Sequence, residues 1–369
     1  MSALQISVDY DAITHNVALL RSRTGDAEVM AVVKADAYGH GLVPAAAAAR
    51  EGGAAWLGVA QPGEAVALRA AGDTGRIFTW LYGPDFPVRD LLMADVDLSV
   101  SSPQVLERIA ATARDLRTVA RVHLCIDTGL GREGVTLADL PAFLDVAVTA
   151  HSEGEVRIVG LWSHLAWADA PGHPTIDAQA QVFRDALAAT EARGIALEVR
   201  HLANSACTLT RADLHFDLVR PGIAVYGMPP VADPDGEDFG LRPAMAVRSE
   251  VILVKQVPAG QGVSYGHEYV TERATTLGLI SAGYADGVFR SAGGRAEVSI
   301  RGQRYRIAGR VCMDQFVVDL GDATEVRAGD VATLIGPEGP SASDWALAAD
   351  TINYEVVCRF GGLRTKEKA

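Results

Sequence analysis

Eight short apolar runs recur through the first two thirds of the chain, each separated from the next by a stretch of helical period. This rhythm constrains the fold more than any other feature. Parallel strands buried on both faces read as continuous Val, Ile and Leu runs, and each pair needs a crossover between them. The runs are Glu28–Val33, Ala55–Val59, Arg76–Leu81, Val96–Val100, Val119–Ile126, Val156–Trp162, Glu198–Leu202 and Phe216–Val219. Between them Ile13, Val17 and Leu20 share one helical face, as do Leu140, Phe143, Leu144, Ala147 and Val148. Phe183 and Leu187 form a third such pair, following Asp177 as a helix start. Eight strands with intervening helices fit a (β/α)8 barrel better than an open doubly wound sheet, which stays the alternative.

The rhythm breaks at a Pro-, Asp- and Gly-rich loop, Met228–Gly240. Beyond it strands follow one another directly: Ala246–Val257, Thr275–Ile280, Ala296–Ile300, Arg304–Ala308, Gln315–Leu320 and Val331–Ile335, with Arg301–Gly302–Gln303 as a hairpin turn. The expected organisation is therefore a barrel over residues 1–238 and an all-β, mostly antiparallel domain over 239–369. A length of 369 residues suits two such cores. The formal charge of -13 argues against nucleic acid or an anionic membrane as the main partner, while leaving room for a local basic pocket. Cys125, Cys207, Cys312 and Cys358 are too scattered for a zinc site or a disulfide framework. No metal is expected. With no signal-like opening and no apolar run able to span a bilayer, a cytoplasmic setting is expected.

Active sites of such barrels lie at the C-terminal strand ends. The first strand runs into Lys34 of VVKADAYGHG, with Tyr38 four residues on. The fifth runs into CIDTGLGREG, which carries Arg132, and the sixth into His164. The seventh leads to His201, Asn204 and Ser205 in RHLANSA, and the eighth to Arg220, Pro221 and Gly222. Each residue taken singly has a plain structural explanation: a solvated lysine, a satisfied histidine, an ion-paired arginine, a helix-capping serine. Gathered on one rim, they offer a candidate nucleophilic lysine. Asn204–Ser205 before a helix and Gly222–Ile223 after a strand offer a phosphate cradle of hydroxyls and backbone N–H groups. Lysine and phosphate cradle together suggest pyridoxal phosphate, with a phosphate-sugar aldolase as the competing reading.

VVKADAYGHG, DTGLGR, RHLANSA, VRPGIAVYG, VSYG, GYADG, GRVCMDQ and INYEVVCR resemble, in order and from Lys34 to Arg359, the successive motifs of the alanine racemase family. The resemblance implies a barrel binding pyridoxal phosphate, followed by a β domain, in a homodimer whose sites are each completed by the partner's β domain. Under it, Lys34 carries the cofactor in Schiff-base linkage. Tyr38, Ser205, Gly222, Ile223 and Tyr354 bind its phosphate, with Asn204 beside them. His164 packs against the pyridine ring, and Arg220, supported by His201, faces the ring nitrogen. Arg132 and the backbone of Met313 hold the substrate carboxylate, and Tyr284 lines a narrow entrance with Tyr265 and Tyr354.

The resemblance further implies that Lys34 serves the D-isomer and Tyr265 the L-isomer, as bases on opposite faces. A tyrosine acting as base needs a nearby cation, for which Arg220 and Arg132 are the candidates. Arginine does not act as an acid, so Arg220 would leave the pyridine nitrogen unprotonated and suppress transamination. Without the family, Tyr265, Tyr284 and Tyr354 read equally as core or hairpin aromatics.

One position departs from the family pattern. Many members carry a lysine seven residues before the substrate-binding arginine, which becomes a carbamate and orients that arginine. Here that position is Cys125, so Arg132 is expected to be held by another anion, bound chloride or Asp127, or by neutral groups alone. Three other functions compete. A serine racemase would need a roomier pocket. A decarboxylase of the same architecture would place an acid where Arg220 stands. A non-catalytic cofactor-holding protein would lack the β domain.

Overall fold

The computed structural model describes residues 4–231, 239–363 and 367–368. The domain boundary expected at 238/239 falls partly on residues outside this set. The chain forms two compact units. One comprises Asp11–Ala37 and Leu42–Arg242. The other comprises Pro243 onward together with Tyr38–Gly41 and the stretch up to Tyr10.

The first unit is an eight-stranded sheet in which every recorded pairing is parallel. Its strands are Glu28–Val32, Trp56–Val59, Arg76–Thr79, Asp97–Val100, Ala120–Cys125, Val156–Trp162, Val199–His201 and Leu218–Val219. The last strand pairs with the first, Val29 lying opposite Val219. It also meets the seventh: the Asp217 N–H donates to the Arg200 carbonyl, the Arg220 N–H to Ala203, and Asn204 bridges Arg220. The sheet is thus closed into a barrel, which disposes of the open-sheet alternative. Closure suits these sequences because most strand residues are apolar and buried, so that one face packs the surrounding helices and the other fills much of the barrel. Met30, Trp56, Phe78, Cys125, Trp162, Val199 and Leu218 form one buried cluster, with Trp80 against it. Ile13, Val17 and Leu20 are wholly buried on helix Tyr10–Ser22. Helix Pro174–Glu191 starts three residues before the expected Asp177. Its cap is His173, whose Nδ1 accepts the Thr175 N–H at 3.3 Å, and Asp177 sits in its first turn.

The second unit is built on the 13-residue strand Met245–Val257, paired antiparallel with Thr275–Ile280 and Val331–Ile335. Gln5–Val8 also pairs with it, so the N-terminal strand belongs to this sheet and not to the barrel. Glu297–Ile300 and Gln303–Arg306 form a hairpin closed by Arg301 and Gly302, both at positive φ, the twist that two-residue hairpins favour. This unit is not all β: helices Ala342–Ala349 and Asn353–Leu363 close it. The first is capped by Ser341 Oγ accepting from Asp344 N–H at 3.0 Å and Asp344 accepting from Ser341 N–H at 2.8 Å. Trp345 anchors it, donating its indole N–H to the Leu334 carbonyl at 2.6 Å.

Candidate active site

In the barrel unit the rim gathers Lys34, Arg132, His164 and Arg220. Lys34 follows the first strand, with Nζ 5.7 Å from the centre of the Trp80 ring. The next three residues, Ala35, Asp36 and Ala37, all lie near φ 54, ψ 50, a left-handed helical turn built without glycine. L-residues pay about 1–2 kcal/mol each for this conformation, so the surroundings must hold it. The Ala35 N–H donates to Glu64 Oε1 at 2.6 Å, while Glu64 Oε2 takes the Ala60 and Gln61 N–H groups at 3.0 and 2.9 Å. Asp36 Oδ1 accepts the Leu42 N–H at 2.6 Å. Strain held this way beside a candidate nucleophile is a mark of a functional segment.

Arg220 is 6% exposed. Its Nη2 donates to the Ser163 carbonyl at 2.6 Å and lies 3.4 Å from the Leu202 carbonyl and from His164 Nδ1. Its Nη1 lies 3.3 Å from His201 Nδ1, and the guanidinium sits 5.1 Å from the Trp162 ring centre. Among the described residues no carboxylate is ion-paired to it, and burial pushes it down to about 10. Burial, then the charges of Arg220, Arg132 and Lys34, hold the His164 imidazole down at about 3, so it is neutral. The rim is thus cationic inside an acidic protein, and it suits an anionic guest.

Asn204, not Ser205, caps helix Ser205–Thr210, its Oδ1 accepting the Cys207 N–H at 3.1 Å. Ser205 Oγ instead accepts the Gly222 N–H at 2.7 Å and the Ala224 N–H at 3.3 Å, at the start of the 3-10 turn Ile223–Tyr226. A buried hydroxyl and convergent N–H groups therefore stand where the phosphate cradle was expected. The donor set fits pyridoxal phosphate: a lysine amine, a cradle for its phosphate and a buried guanidinium lacking a carboxylate.

Cys125 is buried in the barrel, and burial raises its thiol well above the usual range, so it is neither nucleophile nor anion. Asp127 does not hold Arg132. Its Oδ1 accepts the Gly129 and Gly131 N–H groups at 2.9 and 3.1 Å and shapes the loop. The anion at Arg132 is Glu133, which takes Nη2 on Oε1 at 2.7 Å and Nε on Oε2. This bidentate pair raises the guanidinium's affinity for its proton.

The β unit brings together three further motifs. Tyr284 N–H donates to the Cys312 carbonyl at 3.0 Å and Ala285 N–H to Met313 at 2.9 Å. Ser264 Oγ donates to the Arg310 carbonyl at 2.7 Å, tying the turn that carries Tyr265 to the same segment. Ser264 lies at φ 59, ψ -170, a region almost reserved for glycine, which is a second point of strain. Tyr265 and Met313 are 69% and 54% exposed. Tyr38 and Tyr354 also fall in this unit, their rings 6.1 Å apart. Gly39 and Gly361 allow that approach: a Cβ on Gly361 would lie 2.1 Å from the Gly39 carbonyl oxygen. The sequence reading did not single out Glu64, Asp97, His123 or Glu133. Glu133 stands beside Arg132 in GREG, and His123 two residues before Cys125 in VHLCIDTGLGR, without either having been assigned a role.

Comparison with known proteins points one way. Residues 8–230 match the family model "Alanine racemase, N-terminal domain" and residues 244–368 match "Alanine racemase, C-terminal domain". An alanine racemase of Beutenbergia cavernae is 55% identical over 357 residues, covering 96% of this chain and 94% of that protein. One of Salinispora tropica is 55% identical over 363 residues, covering 98% and 96%. The crystal structure of alanine racemase from D-cycloserine-producing Streptomyces lavendulae superposes with a TM-score of 0.96 at 51% identity, covering 100% of this chain and 97% of that one. That from Streptomyces coelicolor A3(2) superposes at 0.95 and 49%, covering 99% and 98%. No described helix is long and apolar enough to cross a membrane.

Proposed function

The chain belongs to the alanine racemase family, and from that premise we propose that it interconverts L- and D-alanine by a two-base mechanism, with Lys34 and Tyr265 as the bases and pyridoxal phosphate on Lys34. When bound, the cofactor delocalises the electron pair left at the substrate's α-carbon. The rest is done by the chain. Lys34 takes or returns the α-proton on the face of the D-isomer, and Tyr265 does so on the face of the L-isomer. Arg132, oriented by Glu133, binds the substrate carboxylate with the Met313 N–H. Ser205, Gly222, Ile223, Tyr38 and Tyr354 hold the cofactor's phosphate, with Asn204 fixing the start of the helix beside them, and neutral His164 packs against its ring. Tyr284 narrows the entrance.

Arg220 carries this reading. It is a buried guanidinium bonded to carbonyls and neutral imidazoles, with no carboxylate paired among the described residues. Against the ring nitrogen of a bound cofactor it would donate a hydrogen bond and surrender no proton. The cofactor would then withdraw less charge, which would favour return of a proton to the α-carbon over transamination. Among the described residues no acid is paired at this place, where a decarboxylase would carry one.

We further propose a cytoplasmic homodimer supplying D-alanine for peptidoglycan. The exposed Tyr265 and Met313 support the dimer, because each partner's β unit would then complete the other's site.

The test uses purified holoenzyme. Its visible absorption band should vanish in Lys34→Ala. With L-alanine in deuterated water, the product should be D-alanine carrying deuterium at the α-carbon. Release of carbon dioxide would identify a decarboxylase. No exchange would identify a cofactor-holding protein, and a higher kcat/KM on L-serine would reassign the substrate.

A further inference from the structure

Beneath Arg220 a line of buried polar groups crosses the barrel interior, where branched apolar side chains normally pack. Arg220 Nη1 lies 3.3 Å from His201 Nδ1. His201 Nε2 lies 2.8 Å from His123 Nδ1, and His123 Nε2 lies 3.2 Å from Asp97 Oδ2. Asp97, His123 and His201 are all 0% exposed. Asp97 is clamped in turn by Arg76 on Oδ2 at 2.5 Å and Arg121 on Oδ1 at 2.7 Å. Phe78 and Trp56 pack on the His123 ring at 4.6 and 5.6 Å, and Trp162 stacks on His201.

Only one proton arrangement satisfies this line. A guanidinium has donors and no acceptor, so His201 must offer Arg220 the lone pair of Nδ1 and carry its proton on Nε2. That proton is donated to His123 Nδ1, which places the His123 proton on Nε2, donated to the Asp97 carboxylate. Both imidazoles are neutral in this arrangement, and burial favours that state for both.

The backbone is shaped to admit the line. The pairing of Ala120–Cys125 with Val156–Trp162 slips between Val122 and His123, and His123 lies opposite Gly160. A Cβ on Gly160 would sit 2.2 Å from His123 Nδ1. The missing side chain at Gly160 leaves the room that the His123 ring occupies.

We propose that Asp97 and His123 are positioning residues for Arg220: they lock His201 as its Nε2–H tautomer, so that the guanidinium always meets an acceptor and is held at the place of the cofactor's ring nitrogen. This rests on the reading of Arg220 given above. In the absence of the lock, His201 can turn its own N–H toward the guanidinium, and two donors then oppose each other. Arg220 is displaced and the ring nitrogen becomes accessible to a proton from water. The expected symptom is transamination: the amino group of alanine passes to the cofactor, leaving pyruvate and the pyridoxamine form.

The test measures tautomers and by-product together. In 15N-histidine holoenzyme, NMR should show His123 and His201 both neutral and protonated on Nε2; protonation of either on Nδ1 overturns the proposal without any variant. In His123→Phe, which removes the acceptor, His201 should move to Nδ1–H and pyruvate formed per racemisation should rise about tenfold, the scale of about 1.4 kcal/mol for one lost hydrogen bond. His123→Gln restores an acceptor and should restore most of both readouts. An unchanged His201 tautomer or an unchanged pyruvate yield in His123→Phe overturns the proposal. Arg220→Lys is the control. If it too leaves the pyruvate yield unchanged, the reading of Arg220 itself has failed, and the proposal with it.

Discussion

Gly283→Ala is a one-methyl substitution that should damage the segment of the β unit to which we assign a share of the site. Gly283 has φ -141, which any residue adopts, so backbone strain plays no part. Space decides the outcome. A Cβ there would lie 2.1 Å from the Met313 carbonyl oxygen, 2.3 Å from its carbon and 2.4 Å from Asp314 N. The 313–314 peptide must therefore retreat by about 1 Å to reach an ordinary contact, and overpacking of this kind costs about 1–3 kcal/mol. It cannot retreat alone, because the Met313 carbonyl accepts from Ala285 and Cys312 from Tyr284, so the Tyr284 turn moves with it. A misplacement of about 1 Å near reacting groups can cost ~100-fold in rate. D-alanine production by holoenzyme at saturating cofactor should fall on that scale, with a raised KM for alanine if the Met313 N–H holds the carboxylate. The melting temperature should drop by several degrees. Gly63→Ala is the control: its Cβ meets nothing within 4 Å, and it lies in helix Pro62–Ala70, where alanine should stabilise by up to about 1 kcal/mol. Activity of Gly283→Ala within twofold of wild type, at unchanged melting temperature, would refute the reasoning.

Three further outcomes are expected. Glu133→Gln should leave stability within about 1 kcal/mol, because Arg132 is half exposed. It should raise the KM for alanine about three- to tenfold, since a poorly oriented guanidinium loses bidentate capture; an unchanged KM would return Arg132 to some other holder. Cys125 and Cys207, buried with their thiols shifted upward, the latter to about 12, should escape iodoacetamide in the native protein at pH 8, and mass-spectrometric labelling of either would contradict their placement. His123, His164 and His201 all have lowered affinity for protons in the folded chain. The unfolded chain takes up protons below about pH 6.5 that the folded chain refuses. Stability is therefore full above that pH and falls as the pH drops toward the folded values, with a slope of up to ~1.4 kcal/mol per pH unit for each histidine. Urea unfolding at pH 7.5, 6 and 5 checks this; a flat profile would show that the imidazoles are accessible.

The barrel could be read from the chain because its strands are largely buried, and such runs as Trp56–Val59 are unbroken apolar text. The β unit's helices escaped notice. Ala342–Ala349 had a signal in Ser341-x-x-Asp344 ahead of Trp345, a capping box that went unread amid the strands around it. Gln5–Val8 is four residues long and pairs with a strand some 240 positions away, beyond the reach of local pattern. The site divides in the same way. Lys34, Arg132, His164 and Arg220 stand out in the sequence because chemistry collects at barrel strand ends. His123 and Asp97 sit inside or at the start of largely apolar strands, where a lone polar residue looks incidental until its partner on the adjacent strand, or two strands on, is seen. The left-handed turn after Lys34 had little precursor in sequence: of Ala, Asp, Ala and Tyr only Asp leans toward positive φ, and bonds to Glu64 and Asp36 help to impose the turn.

The central claim is that two bases, Lys34 and Tyr265, serve opposite faces of one carbon. Exchange of the α-proton by Tyr265→Phe holoenzyme in deuterated water tests it most directly, with each isomer supplied separately. D-alanine should exchange its α-proton for deuterium through Lys34 and form little L-alanine, while L-alanine should neither exchange nor convert. Equal exchange of both isomers, or racemisation at the wild-type rate, would contradict the assignment of Tyr265.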